Sequence, residues 1–149
     1  MDVHASLDAQ CDADRLFAFV DDLAQYPAWM DLTHRVEVDP GAAPPAWQVE
    51  LRARVGPLAR SKRLRMERAV HEPAMRTVVF ERREADGKRH SQWVLRAEVS
   101  QQGERSHLEM HLHYGGALWT GGVLERVLTD QITSGRDRLQ HLVRQSPTR

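Results

Sequence analysis

Apolar and polar side chains alternate through the middle of this chain, and no other feature limits the possible folds as strongly. In residues 46–55, AWQVELRARV, every second side chain is apolar from Trp47 onward. The same period recurs in later segments as far as Tyr114. A period of two places neighbouring side chains on opposite faces of a strand. The middle of the chain is therefore predicted to form a series of strands, each with one apolar face.

Turn residues separate these predicted strands. The turn signals are PGAAPP at 40–45, Gly56-Pro57, Asp86-Gly87 and Gln102-Gly103. Asp-Gly between two alternating segments is a strong signal for a hairpin. Because short connections join antiparallel neighbours, we expect one antiparallel sheet that twists and has one apolar face to cover.

Helical spacing appears on both sides of this predicted sheet. Residues 3–8 alternate and predict a first strand, and residues 12–29 change to helical spacing with a break at Pro27, which predicts two short helices. Near the C-terminus, apolar residues recur at three- and four-residue spacing: Val123, Leu124, Val127, Leu128, Ile132, Leu139, Leu142 and Val143. This stripe predicts a long helix that covers the apolar face of the sheet. The predicted fold is α+β, a curved antiparallel sheet of about seven strands wrapped around a long C-terminal helix.

Length, charge and cysteine content exclude several classes of protein. The 149 residues suit a single domain, expected over 1–145, with 146–149 as a disordered tail. Lys plus Arg and Asp plus Glu both number 21, so no net charge draws the chain to nucleic acid. Cys11 is the only cysteine, and the sequence shows neither a signal-peptide pattern nor an apolar run that could span a membrane. We therefore expect a cytoplasmic protein.

Three segments resemble the START-like, birch-pollen-allergen superfamily (SRPBCC), and within it the polyketide cyclase/dehydrase-like branch. They are DADRLFAFVDDLAQYPAWM at 12–30, the strand pair RTVVFERRE and SQWVLRAEV, and LHYGGALWTGGVLERVLTDQITSGRDRLQHLV at 112–143. The resemblance covers nearly the whole chain. It implies the helix-grip fold, with a ligand cavity between the curved sheet and the long helix. The sequence contains no phosphate-binding loop and no dinucleotide fingerprint, so we expect no cofactor. It is more specific for fold than for function, because one fold hosts many functions.

The segment SHLEMHLHY, residues 106–114, carries three histidines at alternating positions. The apolar positions must face the C-terminal helix, which sends the others to the outer surface of the sheet: His107, Glu109, His111 and His113. If the topology of the superfamily holds, the outward side chains of the first strand lie beside this row. His111 and His113 could present two imidazoles to zinc, but a third ligand is not obvious. We interpret the row as a solvent-facing polar surface and predict no metal site.

Arg68 and Tyr114 are candidate catalytic residues because each shares a face with apolar neighbours. Arg68 has the parity of Leu64, Met66 and Val70, and a buried guanidinium needs a partner. The resemblance implies a role, since aromatase/cyclases carry a cavity arginine on a central strand that binds or polarises a ligand oxygen. Arg68 could equally extend to the cavity mouth. Tyr114 could act as a general acid, or it could be a core residue whose hydroxyl bonds to the backbone.

Residues around the expected cavity are further candidate ligand contacts. Aromatic walls suit flat or polycyclic ligands, although Trp47 and Trp93 could equally be core residues. Thr33 could offer a hydroxyl, and the glycine pairs on both sides of ALWT could let that segment act as a gate. The candidate ligand-binding residues are Trp29, Thr33, Trp47, Leu51, Met66, Phe80, Trp93, Met110, Leu118, Trp119 and Leu128.

The resemblance implies two functions, and the sequence leaves both open. The first is a cofactor-independent polyketide cyclase or aromatase, in which Arg68 and Tyr114 promote aldol cyclisation and dehydration by positioning and proton transfer. The second is a non-catalytic binding or carrier protein for a lipid, quinone or aromatic metabolite. A scaffold domain with little cavity is a third. The expected partner is a hydrophobic or aromatic small molecule, either free or as a polyketide on a carrier protein, and both monomer and homodimer stay open.

Overall fold

A computed structural model describes residues 2–55, 57–115 and 123–145. Its elements are β1 (Asp2–Ala9), α1 (Ala13–Val20), a 3₁₀ helix (Leu23–Ala28), β2 (Thr33–Val38), β3 (Ala46–Val55), β4 (Leu58–Glu72), a short 3₁₀ turn (Pro73–Met75), β5 (Thr77–Arg82), β6 (Trp93–Gln102), β7 (Arg105–Tyr114) and α2 (Val123–Gln145). The predicted gate with Leu118 and Trp119, and the predicted tail 146–149, lie outside the described residues. Within those residues, no helix is both long and apolar enough to cross a bilayer.

The seven strands form one sheet in the order β1-β7-β6-β5-β4-β3-β2, and every neighbouring pair is antiparallel. Successive strands from β2 to β7 pair with their chain neighbours. The first strand instead crosses to the far edge and pairs with the last. The predicted α+β fold is confirmed as a curled antiparallel sheet with a C-terminal helix, the helix-grip arrangement.

The concave face of the sheet carries the core, as the alternation predicted. Trp47, Val49 and Leu51 of β3 are buried, and the intervening positions are less so. Leu139 and Val143 of α2 are buried against the same core, which confirms that the C-terminal stripe covers the sheet. Covering this face removes large aliphatic side chains from water, each worth about 1.5–3 kcal/mol.

A β-bulge in β4 reverses the facing of its last residues. Arg68 pairs with Phe80, but the next pair joins Val70 to Val79, so Ala69 is the extra residue. The predicted inward position of Val70 is therefore wrong, because one inserted residue moves every following side chain to the opposite face. His71 lies on the concave side instead, at its exposed end, where its ring stacks on Phe17 with centroids 6.0 Å apart.

The hairpins differ in how tightly they turn. Gln102 pairs with Arg105 across a two-residue loop, and Gly103 has a φ of 64°, which favours glycine. The hairpin between β5 and β6 is looser than Asp86-Gly87 predicted, because the ladder stops at Glu81 and Val94. The Asp86 carboxylate accepts hydrogen bonds from the Lys88 backbone and from His90, and these contacts shape the longer loop.

The histidine row lies on the outer face, as predicted. His4 lies opposite His111 with stacked rings 4.3 Å apart, and Asp8 lies opposite His107. Hydrogen bonds to Glu109 and Asp8 raise the pKa of His107. Across the described ranges, no three His, Cys, Asp or Glu side chains converge as ligands for a metal ion. The row is a network of cross-strand polar pairs.

α2 docks on the segment that follows the 3₁₀ helix, through residues on one helical face. Gln131 accepts a hydrogen bond from the backbone N–H of Leu32 at 2.8 Å, and Arg138 pairs with Asp31. Between them, Gly135 is buried so close to Trp29 that a Cβ would lie 2.7 Å from the Trp29 carbonyl oxygen. The glycine therefore permits close contact between helix and segment.

Candidate functional site

A cavity of about 90 Å³ lies between the concave face of the sheet and the segment 23–33. Strands β1, β3, β4, β6 and β7 contribute alternate side chains to its wall. The described lining residues are Val3, Ala5, Leu23, Tyr26, Met30, Leu32, Thr33, Val49, Leu51, Leu64, Met66, Trp93, Leu95, Met110 and Leu112. The wall formed by these residues is almost wholly apolar.

The few polar atoms of this wall are mostly engaged. The Tyr26 hydroxyl donates to the Val20 carbonyl at 2.8 Å, and burial raises the pKa of this phenol further above its usual range. The Thr33 hydroxyl donates to the Met30 carbonyl at 2.6 Å. The Trp93 indole N–H is buried and has no acceptor within the described part of the chain. A ligand oxygen close to Trp93 would therefore gain a donor that the protein leaves unused.

Five of the predicted ligand contacts are brought together in this wall. They are Thr33, Leu51, Met66, Trp93 and Met110. All except Thr33 lie at inward strand positions, where the period-two pattern placed them. The geometry makes these five residues neighbours around one cavity.

Three predicted contacts pack elsewhere in the core. The rings of Trp47 and Phe80 meet edge to face with centroids 5.6 Å apart, and Phe80 is fully buried. Trp29 lies beside α2, and its indole donates to the Phe19 carbonyl at 3.2 Å. The side chain of Leu128 is outside the described residues, as are Leu118 and Trp119.

Arg68 faces the concave side of β4, but its guanidinium contacts α1 rather than the cavity wall. Nη1 donates to the Asp21 carbonyl at 3.0 Å, and Cζ lies 5.7 Å from the centre of a Trp47 ring. Asp21 ends α1, where a cation is favoured by the unpaired carbonyls of the last turn. Arg68 thus links β4 to α1, and one buried nitrogen, Nε, has no acceptor among the described residues.

Tyr114 lies at the end of β7 and is buried. Its ring packs on Trp93 with centroids 5.3 Å apart. Tyr114 does not belong to the described lining of the cavity, whereas Trp93, on which it packs, does.

Two cations lie on the concave face just beyond the cavity wall. Lys62 is directly opposite Leu51, and Arg82 is directly opposite Met66. Arg82 donates to Glu84 at 2.7 Å and to the Ser91 hydroxyl at 3.1 Å, and only 8% of its side chain is exposed. Burial and the charge of Arg82 lower the pKa of Lys62, and together they outweigh the opposing effect of Glu84.

In the segment after α1, sequence reasoning found Thr33 but missed the other residues that line the cavity. Leu23, Tyr26, Met30 and Leu32 all line it. The Tyr-Pro-x-Trp element marked this segment as a break between helices, but a broken helix has no period from which side-chain direction can be read. The tight backbone turn, with the Met30 N–H bonded to the Tyr26 carbonyl at 2.7 Å, decides which residues face the sheet.

Residues 1–144 match the family model described as polyketide cyclase / dehydrase and lipid transport. The chain belongs to this family. The match spans the sheet, the 3₁₀ helix and nearly all of α2, and it therefore includes all of the described residues that line the cavity. Comparison with curated proteins gives no match.

Solved structures with the same fold include two aromatase/cyclases. The Zhui aromatase/cyclase from a Streptomyces species aligns with a TM-score of 0.68 at 15% identity, over 97% of this chain and 93% of that chain. The di-domain ARO/CYC protein BexL aligns at 0.66 and 16% identity, over 97% of this chain and 46% of that chain. A START superfamily protein from Mycobacterium smegmatis aligns at 0.66 and 16% identity, over 97% of both chains. At these identities the likeness shows the fold.

Proposed function

We propose that this protein binds a hydrophobic small molecule in the cavity between the sheet and the segment 23–33, without chemically transforming it. The observation that carries the proposal is the chemistry of the described wall, which is apolar. Its one titratable side chain is Tyr26, and the hydroxyl of Tyr26 already donates a hydrogen bond to the Val20 carbonyl. General acid–base catalysis needs a group that can exchange a proton with the ligand. The described wall offers binding surface and no such group.

The size of the cavity indicates that the ligand must be small or the wall must adapt. Pockets for drug-sized ligands measure about 300–1,000 Å³, well above the 90 Å³ seen here. Met30, Met66 and Met110 line the space. Methionine side chains are unbranched and polarisable, and they change shape at modest cost. We therefore propose that the wall opens by rearrangement of these three residues when a larger apolar body enters.

Cyclisation of a polyketide is the second candidate function. It is favoured by the family description, which joins polyketide cyclases and dehydrases with lipid transport, and by the fold shared with two aromatase/cyclases. In this version Arg68 would polarise a ligand oxygen and Tyr114 would donate a proton. It requires both side chains to reach a ligand from their positions outside the described wall.

The binding proposal is tested with N-phenyl-1-naphthylamine, a neutral apolar probe whose fluorescence rises in apolar surroundings. We expect the native protein to bind it saturably. Met66→Trp should remove binding, because the larger side chain fills the cavity that Met66 lines. Circular dichroism would show that the variant still folds.

Met75→Trp is the matched control. Met75 is 69% exposed in the turn after β4, at the end of the sheet away from Trp93. The same substitution there should leave probe affinity unchanged. Equal affinity in the native protein and in folded Met66→Trp would contradict the proposal. If the probe binds as expected, non-denaturing mass spectrometry of protein from its own host would identify a natural ligand by its mass.

A further inference from the structure

Lys62 occupies an unusual position for a lysine. It shares the concave face with Leu64, the next inward residue of β4, and it lies directly opposite Leu51 of β3. Both of these leucines line the cavity. Lys62 therefore lies on the face that forms the cavity wall, one inward position closer than Leu64 to the end of the sheet at which β6 begins. Lysines commonly cover apolar surface with the stem while the ammonium stays accessible.

The ammonium of Lys62 has no hydrogen bond or ion pair with any residue in the described ranges, although its side chain is partly buried. The larger charge effect on its pKa is that of another cation, Arg82 on the neighbouring strand, and the smaller effect of Glu84 opposes it. Arg82 already has partners in Glu84 and Ser91. Burial and this repulsion lower the pKa of Lys62, which means that the folded protein destabilises the charged ammonium relative to the neutral amine.

Lys62 and Arg82 project from the same face of neighbouring strands, and an anion bound there would offset the free-energy cost of keeping the Lys62 ammonium charged. We propose that Lys62, assisted by Arg82, binds the anionic head of an amphipathic ligand whose apolar body enters the cavity. The ligand class is therefore a carboxylic acid with an alkyl or aromatic body. This inference rests on the proposed binding function, and it adds that the ligand carries an anionic head group, which binds at Lys62.

The experiment compares decanoic acid with decan-1-ol as competitors for N-phenyl-1-naphthylamine. The two competitors share their apolar chain and differ in the charge of the head. The native protein should bind the acid about tenfold or more tightly than the alcohol, since a charge-assisted hydrogen bond is worth at least that ratio. Lys62→Met should abolish this preference and leave the affinity for the alcohol unchanged. A second pair, 2-naphthoic acid and 2-naphthalenemethanol, tells an alkyl body from an aromatic one.

Lys88→Met is the matched control, since Lys88 is the other lysine of the chain and lies exposed in the loop between β5 and β6. It should retain the preference for the acid. Thermal melting supplies an independent readout. Lys62→Met should melt above the native protein because it removes a desolvated and repelled charge, whereas a lysine held by protein partners would lower the melting temperature when removed.

The outcomes separate the two proposals. If neither competitor displaces the probe and the probe itself does not bind, the binding function fails and the head-group inference fails with it. If acid and alcohol bind equally, the cavity binds ligands but the inference about Lys62 is overturned. A preference for the acid that survives in Lys62→Met would overturn it as well.

Discussion

Gly135→Ala is the sharpest test of the close packing of α2 against Trp29. Alanine normally stabilises a helix interior by about 1 kcal/mol relative to glycine, so a helix with free space on this face would gain from the change. Here the new Cβ would lie 2.7 Å from the carbonyl oxygen of Trp29 and 3.3 Å from Cε3 of its indole ring. A backbone oxygen cannot move aside alone. The whole segment or the helix must shift by several tenths of an ångström.

The cost of that shift can be estimated from the neighbouring contacts. Overpacking of a filled core costs about 1–3 kcal/mol. The shift also strains the hydrogen bond from the Leu32 backbone to Gln131, and a bond of this kind contributes about 1 kcal/mol. These losses exceed the gain in helix propensity, so we expect a net destabilisation of about 1–3 kcal/mol. For a chain of this length the melting temperature should fall by about 3–10 °C.

Thermal melting followed by circular dichroism, with urea unfolding as a second measure, checks this estimate. Ser134→Ala is the control, because Ser134 is exposed on the same turn and reports helix propensity without the steric contact. It should leave stability unchanged or raise it slightly. If Gly135→Ala melts at or above the native temperature, the close contact between α2 and Trp29 is refuted.

Two further predictions concern charged side chains. Arg68→Met should lower the free energy of unfolding by about 1–2 kcal/mol and leave probe affinity unchanged, because it removes a hydrogen bond to Asp21 and a cation over Trp47. Reduced affinity at an unchanged melting temperature would instead support the catalytic assignment of Arg68. The raised pKa of His107 means that its protonated form stabilises the fold below the ordinary pKa of 6.5 and that this contribution is lost as pH rises through the folded value. Melting curves from about pH 5 to pH 9 should therefore show a smaller loss of stability at high pH for His107→Gln than for the native protein, by up to about 1 kcal/mol, and parallel curves would contradict this.

The fold was largely readable from the sequence because its strands are half-buried. Alternation in 46–55 and 106–114 specifies which side chains face the core, and it can be recognised in the sequence of one strand without knowing the strand with which it pairs. The bulge at Ala69 could not be read in this way. An extra residue on one strand shows only against the strand that it faces, here β5.

The candidate site was predicted in part. Leu51, Met66, Trp93 and Met110 were found because their strand parity also fixes the side on which the cavity lies. Tyr26 and Met30 were missed because they belong to a turn whose side-chain directions depend on tertiary contacts. The assignment of Arg68 also rested on strand parity. Parity predicts the face of the sheet on which a side chain lies, but it does not predict where the guanidinium at the end of a long side chain is placed. Its contact with Asp21 depends on where α1 packs.

The crossing of β1 to the far edge of the sheet has a consequence for how the chain folds. Asp2 pairs with His113, 111 residues further along, whereas β2 to β7 join through local hairpins. Contacts between distant residues carry a large loop-closure entropy and slow the folding of a domain. Synthesis from the N-terminus makes β1 before the other six strands, yet β1 has no partner in the sheet until β7 has been made. The earliest strand in the sequence therefore completes its pairing last, after the six later strands have been synthesised.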